Sequence, residues 1–222
     1  VTLAHNVTGI ERNAFNYCGA LTEINLNHVE SIGSDAFRLC SSLKNITLNN
    51  NLTSIGHQTF ATCTSLEGIT IPDSVTSLGS YCFAGSPKAT GIDIGNSVTT
   101  IGDSAFAYCS SITNIKIPDS VTGMGAGVFS QSSNTSPKLK TAIIGTGLTG
   151  ANSIGNNTFA FNTSLTEIFC RAPKTAFSSQ SLNNTPSNLV IHARAVDPTW
   201  TGGENQSIGG NSTVLVIKDL FP

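Results

Sequence analysis

The chain carries little charge. Of its 222 residues, 11 are Lys or Arg and 13 are Asp or Glu, so that charged residues make up 11% and the formal net charge is −2, against a usual charged fraction of about 25%. A near-neutral surface argues against nucleic acid or an anionic membrane as the main partner, since both require basic surfaces. No apolar run approaches the roughly 18 residues that cross a bilayer, so we expect no membrane insertion. No segment resembles a signal peptide, so a signal or surface anchor would be encoded outside this stretch.

Small residues, most of them polar but uncharged, are abundant in this chain. Ser, Thr, Asn and Gly together account for 96 residues, or 43% of the chain. Intrinsic disorder nevertheless fits poorly, because 39% of the residues are hydrophobic and they are regularly placed.

An internal repeat organises most of the sequence. Seven Phe residues recur at steps of 22, 23, 23, 23, 23 and 30, and an apolar residue lies five positions before each of them. These are Phe15, Phe37, Phe60, Phe83, Phe106, Phe129 and Phe159. Such a period is typical of a solenoid, in which stacked units bury one continuous core.

Each repeat contains a short alternating segment downstream of its Phe. Ile24 and Leu26 lie two residues apart, as do Ile115 and Ile117, which is the period of a strand with one buried face. The stretch around each Phe, such as 103–106, begins with polar residues and predicts a short helical or 3₁₀ turn. The sequence therefore predicts an α/β repeat solenoid of about seven rungs, with a parallel sheet on one face and helical turns on the other.

The pattern Leu-x-x-Ile-x-Ile-Pro-x-x-Val-x-x-Ile-Gly-x-x-Ala-Phe-x-x-Cys, clearest over 69–111, resembles the BspA-type leucine-rich repeats of bacterial and protozoan surface proteins. The resemblance implies a repeat solenoid over 1–171 and a C-terminal cap over 172–222. We expect cap strands near 189–192 and 214–217, with Trp200 as an apolar plug between them or, alternatively, on a Gly-rich loop. The resemblance also implies an extracellular or cell-surface module that adheres to protein or glycan ligands.

Sequence motifs for chemistry are lacking. There is no Gly-x-Ser-x-Gly, no P-loop and no His-Glu-x-x-His, and Asp93 and Asp103 do not form an obvious carboxylate pair. The histidines fall at unrelated repeat positions, without metal-ligand spacing and without an acidic residue in register. These are His5, His28, His57 and His192. We therefore predict a non-enzyme with no cofactor and no metal site.

Four of the six cysteines occupy one column of the repeat, three residues after the Phe. They are Cys18, Cys40, Cys63 and Cys109. The column position favours small buried unpaired thiols, although adjacent rungs would place their Cα atoms within disulfide range.

The outward-facing strand positions predict a binding surface. They are polar in the early repeats, charged at Asp93 and Lys116, and apolar at Ile143 and Phe169, with Glu167 and Arg171 beside Phe169. Exposed apolar residues next to charged ones often mark a partner site. The alternative is that the cap folds over Ile143 and Phe169. Two insertions, within 130–137 and 149–153, bracket the strand of Ile143 and favour a site there.

The beginning of the chain suggests a second function. Val1 and Leu3 align with strand residues Ile69 and Ile71, without a polar cap before them, and an uncapped solenoid end exposes core and strand edge. We therefore expect a fragment of a longer protein, or a first rung covered by further repeats or another domain. The alternative function is a spacer or assembly subunit of a surface or virion filament that stacks through this rung.

Nine Asn-x-Ser/Thr sequons are candidate N-glycosylation sites, whereas composition alone predicts about five. They are Asn6, Asn45, Asn51, Asn134, Asn156, Asn162, Asn183, Asn205 and Asn211.

Overall fold

The repeat folds into a parallel β-solenoid of about eight turns. A computed structural model describes residues 1–194, 197–200 and 203–219. Each turn places one strand on a broad face. Numbered in chain order among all strands, these are β2 (Glu23–Leu26), β4 (Asn45–Leu48), β6 (Gly68–Thr70), β8 (Gly91–Asp93), β10 (Asn114–Ile117), β12 (Thr141–Ile144), β13 (Glu167–Cys170) and β14 (Val190–Arg194). The face ends in a hairpin of β15 (Gly203–Ile208) and β16 (Asn211–Asp219).

A second, narrower set of two-residue strands lies on the neighbouring side of each turn. They are β1 (Gly9–Ile10), β3 (Ser31–Ile32), β5 (Ser54–Ile55), β7 (Ser77–Leu78), β9 (Thr100–Ile101) and β11 (Gly123–Met124). Parallel bridges from Met124 to Ile154 and from Ile154 to Phe177 carry this ladder two turns further. Where the described strands of successive turns pair, they are parallel and in register, for example Ile24 with Ile46.

The strand alternation predicted from sequence is confirmed. In β10, Asn114 and Lys116 are exposed while Ile115 and Ile117 are buried. Inside the turns the repeat Phe rings form one stack, with neighbouring centroids 5.1 to 5.7 Å apart and planes within 16° of parallel. Since each turn contributes one strand and one ring, neither element can be buried without the neighbouring turns.

The segments around each Phe are tight turns rather than helices, so the helical part of the prediction is not confirmed. Asn13 and Tyr17 flank Phe15 at φ 61° each, and later turns repeat this left-handed pair. Because left-handed residues lie on both sides of the Phe, backbone N–H groups of this segment point to the next turn. The Phe15 N–H, for example, donates to Ala36 O at 2.8 Å. A helix would satisfy the same groups internally. The 3₁₀ helix Lys174–Ala176 is the one helix in the described ranges.

The eighth turn lies within the segment predicted to form the cap. Strand β14 pairs in parallel with β13, Phe177 takes the place of the narrow-strand Ile, and Leu182 takes that of the repeat Phe. The sequence predicted seven turns, because in the eighth turn the Ile of the narrow strand is replaced by Phe177 and the repeat Phe is replaced by Leu182. Whether 172–222 acts as a cap remains a prediction.

A hairpin extends the sheet next to this turn. Strand β16 pairs in parallel with β14 and antiparallel with β15. Strands β14 and β16 overlap the two segments predicted to be strands, 189–192 and 214–217. Gly209 and Gly210 form the hairpin turn at φ 57° and 88°, and Gly209 O accepts the Leu182 N–H at 2.6 Å. A Cβ on Gly209 would lie 2.5 Å from Ser181 Oγ, so this contact requires glycine.

Trp200 is buried, as expected for a plug, and does not lie on an open loop. Its Nε1 donates to Ala172 O at 2.9 Å, and its ring meets Phe177 edge-on with centroids 5.9 Å apart. Because β14 and β16 bond directly to each other, the plug covers the eighth turn instead of filling a gap between those strands.

In the part of the chain that the structure describes, no helix is long and apolar enough to cross a membrane.

Candidate functional site

A single row of side chains crosses the broad face at the middle position of each strand. We call it the strand row: Asn25, Thr47, Thr70, Asp93, Lys116, Ile143, Phe169 and His192. Register places Thr70 beside Asp93, Lys116 beside Ile143, and Phe169 between Ile143 and His192. Parallel pairing at about 4.8 Å per strand therefore brings the predicted residues Lys116, Ile143 and Phe169 together, and Asp93 lies on β8, the broad-face strand of the preceding turn.

The centre of the strand row lines a shallow hollow of ≈ 380 Å³. Asp93, Lys116 and Ile143 contribute to it, together with Thr113 and Asn114. Ile143 is 41% exposed, whereas the residues on either side of it in β12 are completely buried. An apolar side chain is thus presented to solvent between a cationic residue and an aromatic one.

The far end of the strand row is aromatic. Phe169 stacks on His192 with ring centroids 4.4 Å apart and planes at 10°, and His192 Nε2 lies 3.6 Å from Glu167 Oε1. His192 is in register with Phe169, not with an acidic residue, but its side chain lies next to that of Glu167, a contact that the repeat positions did not indicate. The flanking buried pair Ile191 and Ala193 repeats the strand alternation and would have indicated its position.

Arg171 lies one residue beyond β13 and outside the strand row. Its Nη1 is 3.9 Å from Asp119 Oδ2, and Asp119 Oδ1 accepts the Thr146 N–H at 2.8 Å. This ion pair ties the end of β13 to loops of earlier turns. Its surface exposure limits the stabilisation it provides.

The alternative that the cap covers the apolar row residues is wrong for Ile143. Strand β14 continues the sheet beside β13 and does not cross its outer face. Phe169 is half-buried through its stacking on His192 in the same row. The second insertion, 149–153, contacts the eighth turn through the Asn152 N–H, which donates to Thr175 O at 2.9 Å.

Comparison with protein families decides the classification of the chain. A model of the BspA type leucine-rich repeat region matches residues 8–136 and 77–193, in six copies. The chain belongs to the BspA-type leucine-rich repeat family. The matched model describes a repeat region and not a catalytic domain. A comparison with curated proteins finds no match to this BspA-type chain.

Several solved structures are similar to this BspA-type solenoid. The leucine rich repeat protein of T. pallidum is 22% identical over 88% of this chain and 73% of its own, with a TM-score of 0.47. A leucine rich cell surface protein from Faecalibacterium prausnitzii A2-165 is 24% identical, with 90% and 55% covered and a TM-score of 0.48. A leucine-rich repeat protein from Bacteroides ovatus ATCC 8483 is 19% identical, with 98% and 92% covered and a TM-score of 0.38. This chain thus spans about half of the F. prausnitzii protein.

The cysteines of this BspA-type chain are unpaired, and five of the six are buried. Burial raises the pKa of Cys40 to about 11 and the pKa values of Cys63 and Cys109 to about 12, so these thiols remain protonated at neutral pH. Cys63 Sγ donates to Phe37 O at 3.3 Å. The prediction of core thiols is wrong for Cys18, which is exposed in the first turn.

Ser86 interrupts the cysteine column in the fourth repeat. It is completely buried, and its Oγ has no hydrogen-bond partner among the described residues. A buried hydroxyl without a partner costs about 1–3 kcal/mol. We expect Ser86→Cys to raise the free energy of unfolding by about 1 kcal/mol, measured by urea denaturation. Ser86→Ala should leave the free energy of unfolding unchanged or raise it. If both variants were less stable than the unmodified chain, the unpaired hydroxyl would not be a cost.

Two of the histidines are neighbours in space. His5 and His28 differ by 23 positions, which is one turn of the solenoid, and their ring centroids lie 5.1 Å apart. Spacing along the chain failed to find the pair because the repeat period, rather than local spacing, sets the neighbours here. The described residues contain no cluster of three or more His, Cys, Asp or Glu that could hold a metal ion.

The sequons differ in accessibility. Five of them lie at exposed positions, namely Asn6, Asn45, Asn51, Asn134 and Asn156, and Asn183 is partly exposed. Asn162 is 1% exposed, and its amide donates to Phe129 O and Phe159 O at 2.8 and 3.0 Å. In the folded chain Asn162 therefore has no room for a glycan. The side chains of Asn205 and Asn211 fall outside the description.

Proposed function

We propose that this chain is a non-catalytic binding module that recognises a protein or glycan ligand through the strand row, at a cell surface or outside the cell. The observation that carries the proposal is Ile143, an exposed aliphatic residue on a flat sheet face. It lies in register between Lys116 and Phe169. The resemblance of the repeats to those of bacterial and protozoan surface proteins supports the location.

The arrangement supports recognition by a preformed surface. The row residues stand on strands whose inward-facing side chains are packed in the core, so little order has to be gained on binding. Ile143 and Phe169 offer apolar contact, and Asp93, Lys116 and Glu167 offer charges and hydrogen bonds on either side. Because the formal net charge is only −2, long-range attraction contributes little and short-range contacts supply the affinity.

The test begins with a binding array of glycans and host proteins, followed by variants of the strand row. Lys116→Glu combined with Ile143→Ala changes two exposed side chains and leaves the stacked Phe169 in place. We expect the combination to weaken binding of the ligand found by about 30-fold or more, as for hot-spot residues. The melting temperature should stay nearly constant, because both side chains are exposed.

A matched control comes from the same row in earlier turns. Thr47→Glu with Thr70→Ala also adds an acidic residue and truncates a side chain, and both positions are exposed. This control should bind like the unmodified chain. Equal affinity of all three proteins for the ligand would remove the strand row as its binding surface.

An assembly role is the second candidate. It is favoured by the first turn, where Leu3, Val7 and Phe15 are only partly buried against the core. Apolar side chains of this kind could pack on a further repeat or on another molecule. Ordered end-to-end polymers in concentrated solution would favour assembly over ligand recognition, whereas a monomer at the same concentration would favour recognition.

A further inference from the structure

His5 and His28 lie side by side on consecutive turns. Their ring centroids are 5.1 Å apart and their planes are inclined by 41°. Both side chains are exposed, and both line the same small hollow of ≈ 160 Å³, to which Thr2 and Asn25 also contribute. Two imidazoles thus face one solvent-accessible space at the first end of the strand row, away from Asp93, Lys116, Ile143 and Phe169.

The geometry points to a two-histidine site for a divalent transition-metal ion, and we propose that His5 and His28 bind such an ion together. Metal–nitrogen distances are about 2.0–2.1 Å for zinc, so two imidazole nitrogens on one ion lie at most about 4 Å apart. Rings with centroids 5.1 Å apart reach this separation by side-chain rotation, which exposed residues undergo readily.

The composition of the hollow selects the class of ion. Its lining contains no carboxylate and no thiol, so it offers neither the oxygen-rich shell of Ca²⁺ nor the thiolates of a structural zinc site. Imidazole suits Zn²⁺, Cu²⁺ and Ni²⁺. Asn25 Oδ1 already accepts the Asn27 N–H at 2.9 Å, so the remaining coordination positions are open to water or to a donor outside the chain.

The experiment titrates the full chain, without an affinity tag, with ZnCl₂ and separately with NiCl₂ in a calorimeter. All proteins carry Cys18→Ser, because Cys18 is the one exposed thiol among the described residues. We expect one ion per chain. His5→Gln and His28→Gln should each weaken binding at least 10-fold, and the melting temperature of the parent should rise with added metal, since an ion bound to the native state stabilises it.

His57→Gln is the matched control, because His57 is exposed on a later turn and lies near Tyr81 instead of a second histidine. This variant should bind the metal like its parent. The proposal is overturned if the parent shows no saturable binding up to about 1 mM metal. It is equally overturned if His5→Gln and His28→Gln bind with the affinity of His57→Gln, which would place the ion elsewhere.

Discussion

Replacing Phe106 by alanine should lower the free energy of unfolding by about 3–5 kcal/mol, the usual cost of truncating a buried aromatic residue. Phe106 is completely buried, and its ring lies between Phe83 at 5.7 Å and Phe129 at 5.5 Å. Truncation removes contacts on both faces and leaves a cavity between three turns. Since the flanking backbone is bonded to the adjacent turns, it cannot collapse to fill that cavity.

Urea denaturation followed by circular dichroism measures this loss. Phe15→Ala is the matched control, because Phe15 is only partly buried and stacks on the single neighbour Phe37. Its cost should be clearly smaller than that of Phe106→Ala. Phe106→Leu should also cost less than Phe106→Ala, since Leu182 fills the same column in the eighth turn. Equal losses in Phe15→Ala and Phe106→Ala would show that stacking on both faces is not what stabilises the array.

Replacing Asn162 by alanine should lower the free energy of unfolding by about 1–3 kcal/mol. Asn162 occupies the cysteine column in the seventh repeat, and its amide satisfies the carbonyls of Phe129 and Phe159. Alanine removes the amide donor from the buried Phe129 carbonyl, which costs about 1–3 kcal/mol, whereas the Phe159 carbonyl still accepts the backbone N–H of residue 162. Asn162 therefore stabilises the turn that follows the longest repeat.

The sequon at Asn162 provides the control. Ser164→Ala destroys the same Asn-x-Ser motif but leaves the amide in place, and Ser164 is only partly buried. We expect Ser164→Ala to change stability by less than about 0.5 kcal/mol, as surface substitutions usually do. If Ser164→Ala and Asn162→Ala were equally destabilising, the amide hydrogen bonds would not be the cause. Thermal unfolding of the unglycosylated chain makes the comparison.

The repeat architecture could be predicted because its physical cause is local. A strand with one buried face needs apolar residues two apart, and Ile115 and Ile117 show that spacing in the sequence and burial in the structure. One ring per turn is likewise visible as one Phe per repeat. The outward positions follow from the same alternation, so Asp93, Lys116, Ile143 and Phe169 could be assigned to one row before their neighbours were known.

The turns opposite the strands were harder to predict. Their left-handed residues include Leu39 and Thr62, which have no intrinsic preference for that conformation. The cost is offset by hydrogen bonds to adjacent turns, as from Leu39 N to Ala61 O at 2.8 Å. No local sequence signal reveals hydrogen bonds to residues one repeat away. The segment around each Phe begins with polar residues and has an apolar centre, and this pattern by itself predicts a helical turn.

By itself, the sequence determined the period, the buried columns, the low charge and hence the BspA-type solenoid with one outward strand row. The tertiary structure decided where the repeat continues and which side chains meet. It placed Leu182 in the Phe column, His192 on Phe169 and His5 beside His28. The physical reason is that stacking converts a separation of one period along the chain into direct contact, whatever residues occupy the two positions.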